Sequence, residues 1–327
     1  MHKVLVNTPI HPEALRYLAE HVELLTPFGA PKSEVLNALA DADALILSGV
    51  LSIGAVEMDL APRLQVIGRH GVGLDTVDLA AATERRLPVV YTPYAPTEST
   101  AEHAFMLILA TARRLPALDR ATRSGNFGMR TDQRAMGIEL KGKALGIAGF
   151  GRIGRRLAEM CHAALQMPIF VYDPYLTAQE IEQHGATPVS SLAELAGRVD
   201  VLSVHTPLTE DTHHLASREV ISAMRPGAIF INASRGPVVD EAALIDALRE
   251  GHIAGAGLDV YDPEPPESDN PLFALEQVVL TPHVGSFTDE ARRLMGLTVA
   301  QDVLRVLRAE HPEYLANPQI WEDRRLG

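Results

Sequence analysis

The chain has 327 residues, of which 46% are apolar and 22% are charged, and its formal net charge is −13. This length predicts about two domains, and the apolar fraction is ample for sizeable cores and argues against a disordered chain. No long run of Lys and Arg offsets the acidic balance, which argues against a nucleic-acid-binding surface, because such a surface clusters cations to neutralise phosphates.

Cysteine content and hydropathy bear on the compartment. The single cysteine, Cys161, excludes an intrachain disulfide and favours a reducing compartment. Cys161 lies in a helical pattern and is predicted to be a buried structural thiol. The N-terminal apolar run is too short for a signal peptide, and the longest apolar run, Ala104–Ala110, is far short of the roughly 20 residues of a membrane span. We therefore expect a cytoplasmic protein that does not bind membranes.

The first part of the chain alternates apolar runs with helix-like segments. A helix with Pro12 in its first turn is predicted over His11–His21. Strands are predicted in Lys3–Asn7, in Ala42–Gly49, at the start of Leu64–Asp75, where a glycine-rich turn follows, and in Val89–Thr92, where Pro93 halts the strand. Continuous apolar runs are typical of parallel strands covered on both faces, so this part predicts a small α/β unit.

A long helix is predicted to begin near Ser99. Ser99 and Glu102 have the S-x-x-E spacing of a capping box. The helix continues through Ala101–Leu115 and is apolar over much of its surface, which is typical of a helix buried in a core or an interface. The stretch Arg123–Gly137 shows no strong periodicity and is predicted to be a loop.

From Ala144 onward, strands and helices alternate strictly. Helices are predicted from about Arg152, over Asp240–Gly251 and over Thr288–Glu310. Six strands are predicted in Ala144–Gly149, Ile169–Asp173, Asp200–His205, Gly227–Ser234, Ala254–Val260 and Val278–His283. Alternating βα units of this length predict a doubly wound parallel sheet, which binds its ligands beyond the carboxyl ends of the strands.

The turn after the first of these strands has the spacing G-x-G-x-x-G at Gly149, Gly151 and Gly154. The glycines allow a tight turn, a close approach of a pyrophosphate and close packing of helix on strand, and the helix N-terminus favours phosphate. Asp173 ends the next strand, where a carboxylate accepts hydrogen bonds from ribose hydroxyls and repels a 2′-phosphate. The pattern favours NAD over NADP. The alternative is a plain strand–turn–helix with Asp173 as a turn residue before Pro174.

Three chemically versatile residues follow other strands of the same predicted sheet. Arg235 follows the fourth strand, Glu264 comes five residues after Asp259 at the end of the fifth, and His283 follows the sixth. Taken singly, Arg235 is explained as a solvated turn residue, Glu264 as a solvated carboxylate in a proline-rich loop, and His283 as a structural histidine. Their arrangement at one sheet edge with the glycine turn favours a shared function.

Long motifs in a fixed order extend this pattern. They are "RHGVGLDTVDLAAATERRLPVVYTP", "GFGRIG", "VYDP", "HTPLTEDTHHL", "NASRGPVVDEAALIDAL", "GLDVYDPEPP" and "LTPHVGS". Over most of the chain the sequence resembles the NAD-dependent D-isomer-specific 2-hydroxyacid dehydrogenase family, nearest to its phosphoglycerate/hydroxypyruvate dehydrogenase-like branch. The resemblance implies an α/β chain of two doubly wound domains: a Rossmann NAD-binding domain (residues 99–286) inserted into a flavodoxin-like substrate domain (residues 1–98 and 287–327).

The resemblance also implies roles for individual residues. Arg235 would bind the carboxylate and carbonyl of a small 2-hydroxy or 2-oxo acid, and His283 would be the general acid/base. Glu264 would orient the imidazole and stabilise its protonated form. The implied NAD contacts are Gly149, Gly151, Arg152, Ile153, Gly154, Asp173, Thr206, Pro207, Thr212, Ala233, Ser234, Asp259 and Gly285; no metal is implied. The implied substrate-binding loop is Arg69, His70, Gly71, Val72 and Gly73, whose successive N–H groups suit an anion.

Several features leave the substrate open. Arg69 matches a position that helps to bind phosphoglycerate in one branch, but Ile46–Val50 lacks the basic residue expected there, and Tyr94 and Pro96 replace a smaller loop. The helix around Ala101–Ala110 resembles the family's dimer region, so a homodimer is expected. Formate dehydrogenases, which have Gln in place of Glu264, are disfavoured. A non-catalytic NAD(H)-sensing regulatory protein of the same superfamily remains the alternative.

Overall fold

The computed structural model describes residues 1–49 and 51–325. Its contacts divide the chain into two compact units: a first unit of Met1–Pro96 and Phe287–Gly327, and a second unit of Thr97–Ser286. None of the helices within the described residues is both long and apolar enough to cross a membrane.

Twelve strands and twelve α-helices are named here in chain order among the described residues. The strands are β1 Lys3–Val6, β2 Glu23–Leu25, β3 Ala44–Leu47, β4 Val66–Arg69, β5 Val89–Val90, β6 Leu145–Ala148, β7 Ile169–Tyr172, β8 Thr187–Pro188, β9 Val201–Val204, β10 Ala228–Asn232, β11 Ile253–Leu258 and β12 Val278–Leu280. The helices are α1 Pro12–Ala19, α2 Lys32–Ala40, α3 Ala55–Asp59, α4 Leu79–Glu84, α5 Thr97–Ala112, α6 Leu115–Arg123, α7 Arg152–Leu165, α8 Ala178–Glu182, α9 Leu192–Arg198, α10 Arg218–Ala223, α11 Glu241–Arg249 and α12 Asp289–Leu307.

The first unit is built on a five-stranded sheet in the order β2-β1-β3-β4-β5, and every pairing is parallel. This is the flavodoxin-like order. Helix α12 packs closely on β4, since a Cβ on Gly68 would lie 2.7 Å from side-chain carbons of both Val299 and Val303. The fully buried Asn317 fastens the C-terminal segment by accepting a hydrogen bond from the Val89 N–H and donating one to the Leu87 carbonyl.

The second unit is built on a seven-stranded parallel sheet in the order β12-β11-β10-β9-β6-β7-β8. The order reverses between β6 and β9, which is the position where Rossmann-type sheets bind their ligands. Buried apolar clusters cover both faces of this sheet. Both sheets therefore confirm the predicted class of two doubly wound α/β units.

Burial of the single cysteine is also confirmed. Cys161 lies on α7 with no solvent exposure, and burial raises the pKa of its thiol to about 12. The thiol is therefore neutral at physiological pH, as expected for a structural residue.

The long helix begins close to the predicted position, but the predicted capping box and the predicted end of the helix were wrong. Helix α5 begins at Thr97, directly after Pro96, so Ser99 is a buried residue inside its first turn and not a capping residue. Proline fixes a φ angle that suits a helix start, and this brings the chain into the helix earlier than the serine does. The helix ends at Ala112, because Arg114 adopts a left-handed conformation (φ 50°), and α6 follows as a separate helix.

Other short elements escaped prediction. The three-residue β2 and the two-residue β8 lie at sheet edges, and both are too short to show a hydrophobic period. The predicted loop over Arg123–Gly137 contains two short 3₁₀ turns, Phe127–Thr131 and Gln133–Ala135. Each of these is one or two turns long and exposed, so no buried face marks it in the sequence.

Candidate active site

The glycine turn between β6 and α7 combines two tightly packed glycines with an open one. A Cβ on Gly149 (φ 89°) would lie 2.8 Å from the His205 carbonyl oxygen, and a Cβ on Gly154 would lie 2.4 Å from that of Gly149. A Cβ on Gly151 would meet nothing within 4 Å. The packing thus requires glycine at the first and third positions, whereas Gly151 faces open space at the N-terminus of α7.

Asp173, at the end of β7, braces this turn. Its two carboxylate oxygens accept hydrogen bonds from the backbone N–H of Phe150 (2.8 Å) and of Tyr175 (2.9 Å). Each oxygen can accept at least one further hydrogen bond, so the carboxylate can serve the turn and a ligand's hydroxyls together. Sequence reasoning placed Asp173 at this edge but did not foresee its contact with the turn.

The chain after β9 contributes a polar loop beside the turn. The buried Thr206 Oγ1 has no hydrogen-bond partner among the residues that the structure describes, and Thr206 Cγ2 lies 2.9 Å from the Cβ position of Gly149. Thr212 Oγ1 donates to the Pro207 carbonyl (2.7 Å) and closes the loop. These features fit a dinucleotide. Its oxygens can bond to the Thr206 hydroxyl and to the N–H groups of the α7 N-terminus, and Gly151 has no side chain to block the approach.

His205, in the same segment, has a different character. Its Nε2 lies 2.8 Å from Ser203 Oγ, and burial lowers the pKa of the ring to about 4. It is therefore neutral at physiological pH.

The turn after β12 holds His283 in an unusual backbone conformation. His283 has φ 52°, and its N–H donates to the Asp259 carbonyl (2.8 Å). The Asp259 carboxylate, 1% exposed, accepts hydrogen bonds from the N–H groups of Val284 (2.9 Å) and Gly285 (2.8 Å). Burial raises the pKa of Asp259, but hydrogen bonds from His103, Thr281 and Val284 outweigh it and leave the pKa below its ordinary value. Left-handed non-glycine residues cluster at functional sites.

The imidazole of His283 is paired with Glu264. Nδ1 lies 2.5 Å from Glu264 Oε1, with 44% of the histidine side chain and 27% of the glutamate side chain exposed. Because the carboxylate holds Nδ1, the ring is oriented and Nε2 is the nitrogen that can exchange a proton with a ligand. The sequence separation of 19 residues is closed by the parallel pairing of β11 and β12.

Arg235 lies on a loop that packs tightly onto the next one. The buried Asn232, at the end of β10, donates to the Arg235 carbonyl (2.8 Å) and accepts from the Ser234 N–H and hydroxyl. A Cβ on Gly236 would lie 1.7 Å from the Tyr261 carbonyl oxygen. The loop after β10 is thereby pressed against the loop after β11, and the strand ends that carry Arg235, Glu264 and His283 share one edge of the sheet. Ala233, beside Ser234, is half-buried against the apolar core.

The glycine-rich loop 69–73 belongs to the first unit. The Arg69 guanidinium donates to the carbonyls of Gly73 (3.0 Å) and Leu47 (3.3 Å), so it holds the loop together. His70 is buried, its Nε2 has no hydrogen-bond partner within the described chain, and burial together with the nearby charges of Arg69 and Arg292 lowers its pKa to about 4. A basic residue is expected in Ile46–Val50 for a phosphate-bearing substrate. Val50, the last residue of that segment, lies outside the described residues.

Comparison with known proteins places this geometry in a family. The family model for the NAD-binding domain of the D-isomer specific 2-hydroxyacid dehydrogenases matches residues 105–285. The chain belongs to this family. The matched range lies within the second unit, so the second unit carries the NAD-binding domain, and the expected family and cofactor are confirmed.

Two curated relatives of this 2-hydroxyacid dehydrogenase family member differ in length. A D-3-phosphoglycerate dehydrogenase from Methanocaldococcus jannaschii is 41% identical over the whole chain, which spans 62% of that relative. A glyoxylate reductase from Korarchaeum cryptofilum is 38% identical, with 99% of this chain and 98% of the relative covered. The chain thus spans less than two thirds of the former and almost all of the latter.

Solved structures of similar proteins agree with the fold. A protein from Thermus thermophilus aligns with a TM-score of 0.86 at 37% identity, over 96% of this chain and 99% of that one. An NADPH-dependent glyoxylate/hydroxypyruvate reductase from Sinorhizobium meliloti, in complex with NADP and malonate, aligns with a TM-score of 0.88 at 31% identity, over 100% and 99%.

Two polar residues next to the site were missed by sequence reasoning. His103, on α5, places Nε2 2.9 Å from Thr281 Oγ1, and Thr281 Oγ1 lies 2.6 Å from Asp259 Oδ1. His103 was interpreted as part of an apolar helix. The available signal was a single histidine among apolar residues in "AEHAFML" and a threonine two residues before His283.

Proposed function

We propose that this protein is an NAD(H)-dependent oxidoreductase that transfers a hydride between nicotinamide and a small 2-hydroxy or 2-oxo acid. The observation that carries the proposal is the His283–Glu264 pair, 2.5 Å apart at the sheet edge that also bears the glycine turn. Family membership supports the reaction class. Because the chain spans only part of some relatives, the activity is inferred from the site and not from their names.

His283 would be the general acid/base. Glu264 accepts a hydrogen bond from Nδ1–H and so fixes the tautomer whose bare Nε2 takes up and releases the exchangeable proton, with the ring passing between imidazole and imidazolium. During reduction Nε2–H would donate to the carbonyl oxygen, and during oxidation Nε2 would accept the hydroxyl proton. A negative charge at Glu264 stabilises the imidazolium that forms when Nε2 accepts the hydroxyl proton during oxidation.

Arg235 would bind the substrate's carboxylate and the adjacent oxygen. A guanidinium presents a planar fork of donors that matches two neighbouring oxygens. The Gly236–Tyr261 packing limits the freedom of its backbone, which favours a defined position of the side chain. We propose residues 69–73 as a substrate-binding loop, because successive backbone N–H groups suit an anion.

The residues around the glycine turn would hold the cofactor. The α7 N-terminus and the open face at Gly151 suit the pyrophosphate, Asp173 suits the ribose hydroxyls, and Thr206 offers an unpaired hydroxyl. The remaining proposed contacts are Arg152, Ile153, Pro207, Thr212, Ala233, Ser234, Asp259 and Gly285. When bound, the nicotinamide ring supplies or accepts the hydride. We propose that NAD is preferred to NADP, because Asp173 would repel a 2′-phosphate.

An assay with several 2-oxo acids tests the proposed activity directly. Purified protein is assayed with NADH and NADPH against glyoxylate, hydroxypyruvate, phosphohydroxypyruvate and pyruvate, and NADH binding is followed by its fluorescence. We expect NADH-dependent turnover of at least one acid. His283→Ala should lose two to four orders of magnitude in kcat and bind NADH nearly as before. Near-normal turnover in that variant would refute the acid–base assignment, and NADH binding without turnover of any acid would favour the regulatory alternative.

We further propose that the chain is a homodimer through the α5–α6 region. Exposed apolar side chains concentrate there and in the 3₁₀ segment that follows: Met106, Leu109, Leu115, Phe127 and Met136. Met106, Leu109 and Leu115 line one apolar surface cleft, and contiguous exposed apolar patches mark interaction sites. Sedimentation equilibrium should give twice the chain mass of 35.4 kDa for the wild type and the monomer mass for Leu109→Lys. A monomeric wild type would contradict the proposal.

A further inference from the structure

A partly buried histidine outside the proposed catalytic trio contacts the turn that carries His283. His103 projects from α5 with 13% of its side chain exposed. Its Nε2 lies 2.9 Å from Thr281 Oγ1 and 3.3 Å from Asp259 Oδ1, and the Thr281 hydroxyl lies 2.6 Å from that same carboxylate oxygen. The three side chains thus form one closed hydrogen-bonded group.

The hydrogens in this group can be assigned by counting donors. Thr281 Oγ1 has a single proton, and two oxygens 2.6 Å apart need a proton between them, so the hydroxyl donates to Asp259. The contact between Thr281 Oγ1 and His103 Nε2 then requires the ring nitrogen to be the donor. His103 therefore carries a proton on Nε2 and directs it at Thr281 and Asp259.

Asp259 is the residue on which the His283 turn is built. Its carboxylate accepts from Thr281 Oγ1 before His283 and from the N–H groups of Val284 and Gly285 after it, and its carbonyl accepts from the His283 N–H. These contacts hold the left-handed conformation of His283 that presents its ring to Glu264. His103 is the donor to this group that comes from α5, so it ties the position of the carboxylate to a long helix.

We propose that His103 is a positioning residue for His283, acting through Thr281 and Asp259. Without its Nε2–H, a buried carboxylate and hydroxyl lose a donor, and the turn of residues 281–285 can relax away from the geometry that pairs His283 with Glu264. The catalytic consequence rests on the proposed function of His283, whereas the effect on the turn does not.

The kinetic test compares a variant that lacks the donor with one that keeps it. His103→Leu removes Nε2–H at similar volume, and His103→Gln keeps an N–H near the same place. We expect His103→Leu to lower kcat about 10- to 100-fold, with a smaller change in KM, and His103→Gln to recover to within about fivefold of wild type. His162→Leu, at an exposed histidine on α7, is the matched control and should keep wild-type kcat.

The second measurement does not depend on turnover. In protein with ¹⁵N-labelled histidine, His103 should carry its proton on Nε2, and His283 should show a low-field Nδ1–H from its bond to Glu264. The His283 signal should broaden or disappear in His103→Leu and persist in His103→Gln. If wild type turns over no acid, the proposed function fails, but these signals still test the positioning role.

Three results would overturn the proposal: a neutral His103 with its proton on Nδ1, a His103→Leu variant with the wild-type His283 signal, or one with wild-type kcat in an active enzyme. Should His103→Leu fail to fold, Thr281→Val breaks the same group. Thr281→Val should then lose the His283 signal, and the double variant Thr281→Val/His103→Gln should be no worse than Thr281→Val alone. Retention of the signal in Thr281→Val would likewise refute the role.

Discussion

Replacing His70 by glutamine should make the free energy of unfolding of the first unit less sensitive to acid. His70 is 8% exposed and its Nε2 lacks a hydrogen-bond partner within the described residues. Burial, with a smaller contribution from the charges of Arg69 and Arg292, lowers its pKa from 6.5 to about 4. Between about pH 4 and pH 6.5 the His70 ring is therefore mostly neutral in the folded state and mostly protonated in the unfolded state.

The free energy of unfolding changes with pH because the folded and unfolded states bind different numbers of protons. Above pH 6.5 the ring is neutral in both states and has no pH-dependent effect. As the pH falls from 6.5 toward 4, the unfolded state binds a proton and the folded state does not, so stability is lost. With 1.36 kcal/mol per pKa unit, the loss from this one residue is about 2 kcal/mol at pH 5 and about 3 kcal/mol at pH 4.

Trp321 makes the first unit observable by itself. It is the single tryptophan of the chain and lies in the first unit, 4.8 Å from the His311 ring between centroids. Urea unfolding followed by Trp321 fluorescence at pH 7.5, 6.5, 5.5 and 5.0 gives the free energy of unfolding at each pH. The difference between wild type and His70→Gln should shift by about 2 kcal/mol in favour of the variant from pH 7.5 to 5.0.

Val56→Gln is the control, because Val56 is an exposed residue of the same unit and neither valine nor glutamine titrates. Its pH dependence should parallel that of wild type. If wild type and His70→Gln also lose stability in parallel between pH 7.5 and 5.0, then burial does not suppress protonation of His70, and the reasoning is refuted.

The remaining predictions concern the site, one buried amide and the thiol. Glu264→Gln should lower kcat about 10- to 100-fold, because an amide oxygen still accepts from Nδ1–H but lacks the charge; an unchanged kcat would contradict the pairing. Asp173→Ala should narrow the ratio of kcat/KM for NADH over NADPH, and an unchanged ratio would show that the preference is set elsewhere. Asn317→Ala should lower the free energy of unfolding by about 3 kcal/mol, measured by Trp321 fluorescence, because the Val89 N–H and the Leu87 carbonyl lose their hydrogen-bond partner. Cys161 should resist a thiol reagent at pH 8 in the folded protein and react at once in urea; fast labelling of folded protein would contradict its raised pKa.

Prediction from sequence succeeded where a residue's place in the chain decides its place in the fold. The parallel strands were recognisable as buried apolar runs, and the carboxyl ends of parallel strands share an edge. That alone brought Gly149, Asp173, Arg235 and His283 to one side of the second sheet. The helix start at Thr97 and the break at Arg114 were missed, because they depend on single backbone conformations that leave no period in the sequence.

The sequence by itself thus determined the fold class, the edge of the sheet that carries the site and the residue types present there. Only the tertiary structure decided which atoms meet. Asp173 braces the glycine turn through Phe150, Gly236 packs against the Tyr261 carbonyl, and His103 reaches Thr281 across 178 residues of chain. Each of these contacts depends on side-chain direction and on the close packing of separate elements, which hydrophobic periodicity and motif spacing do not encode.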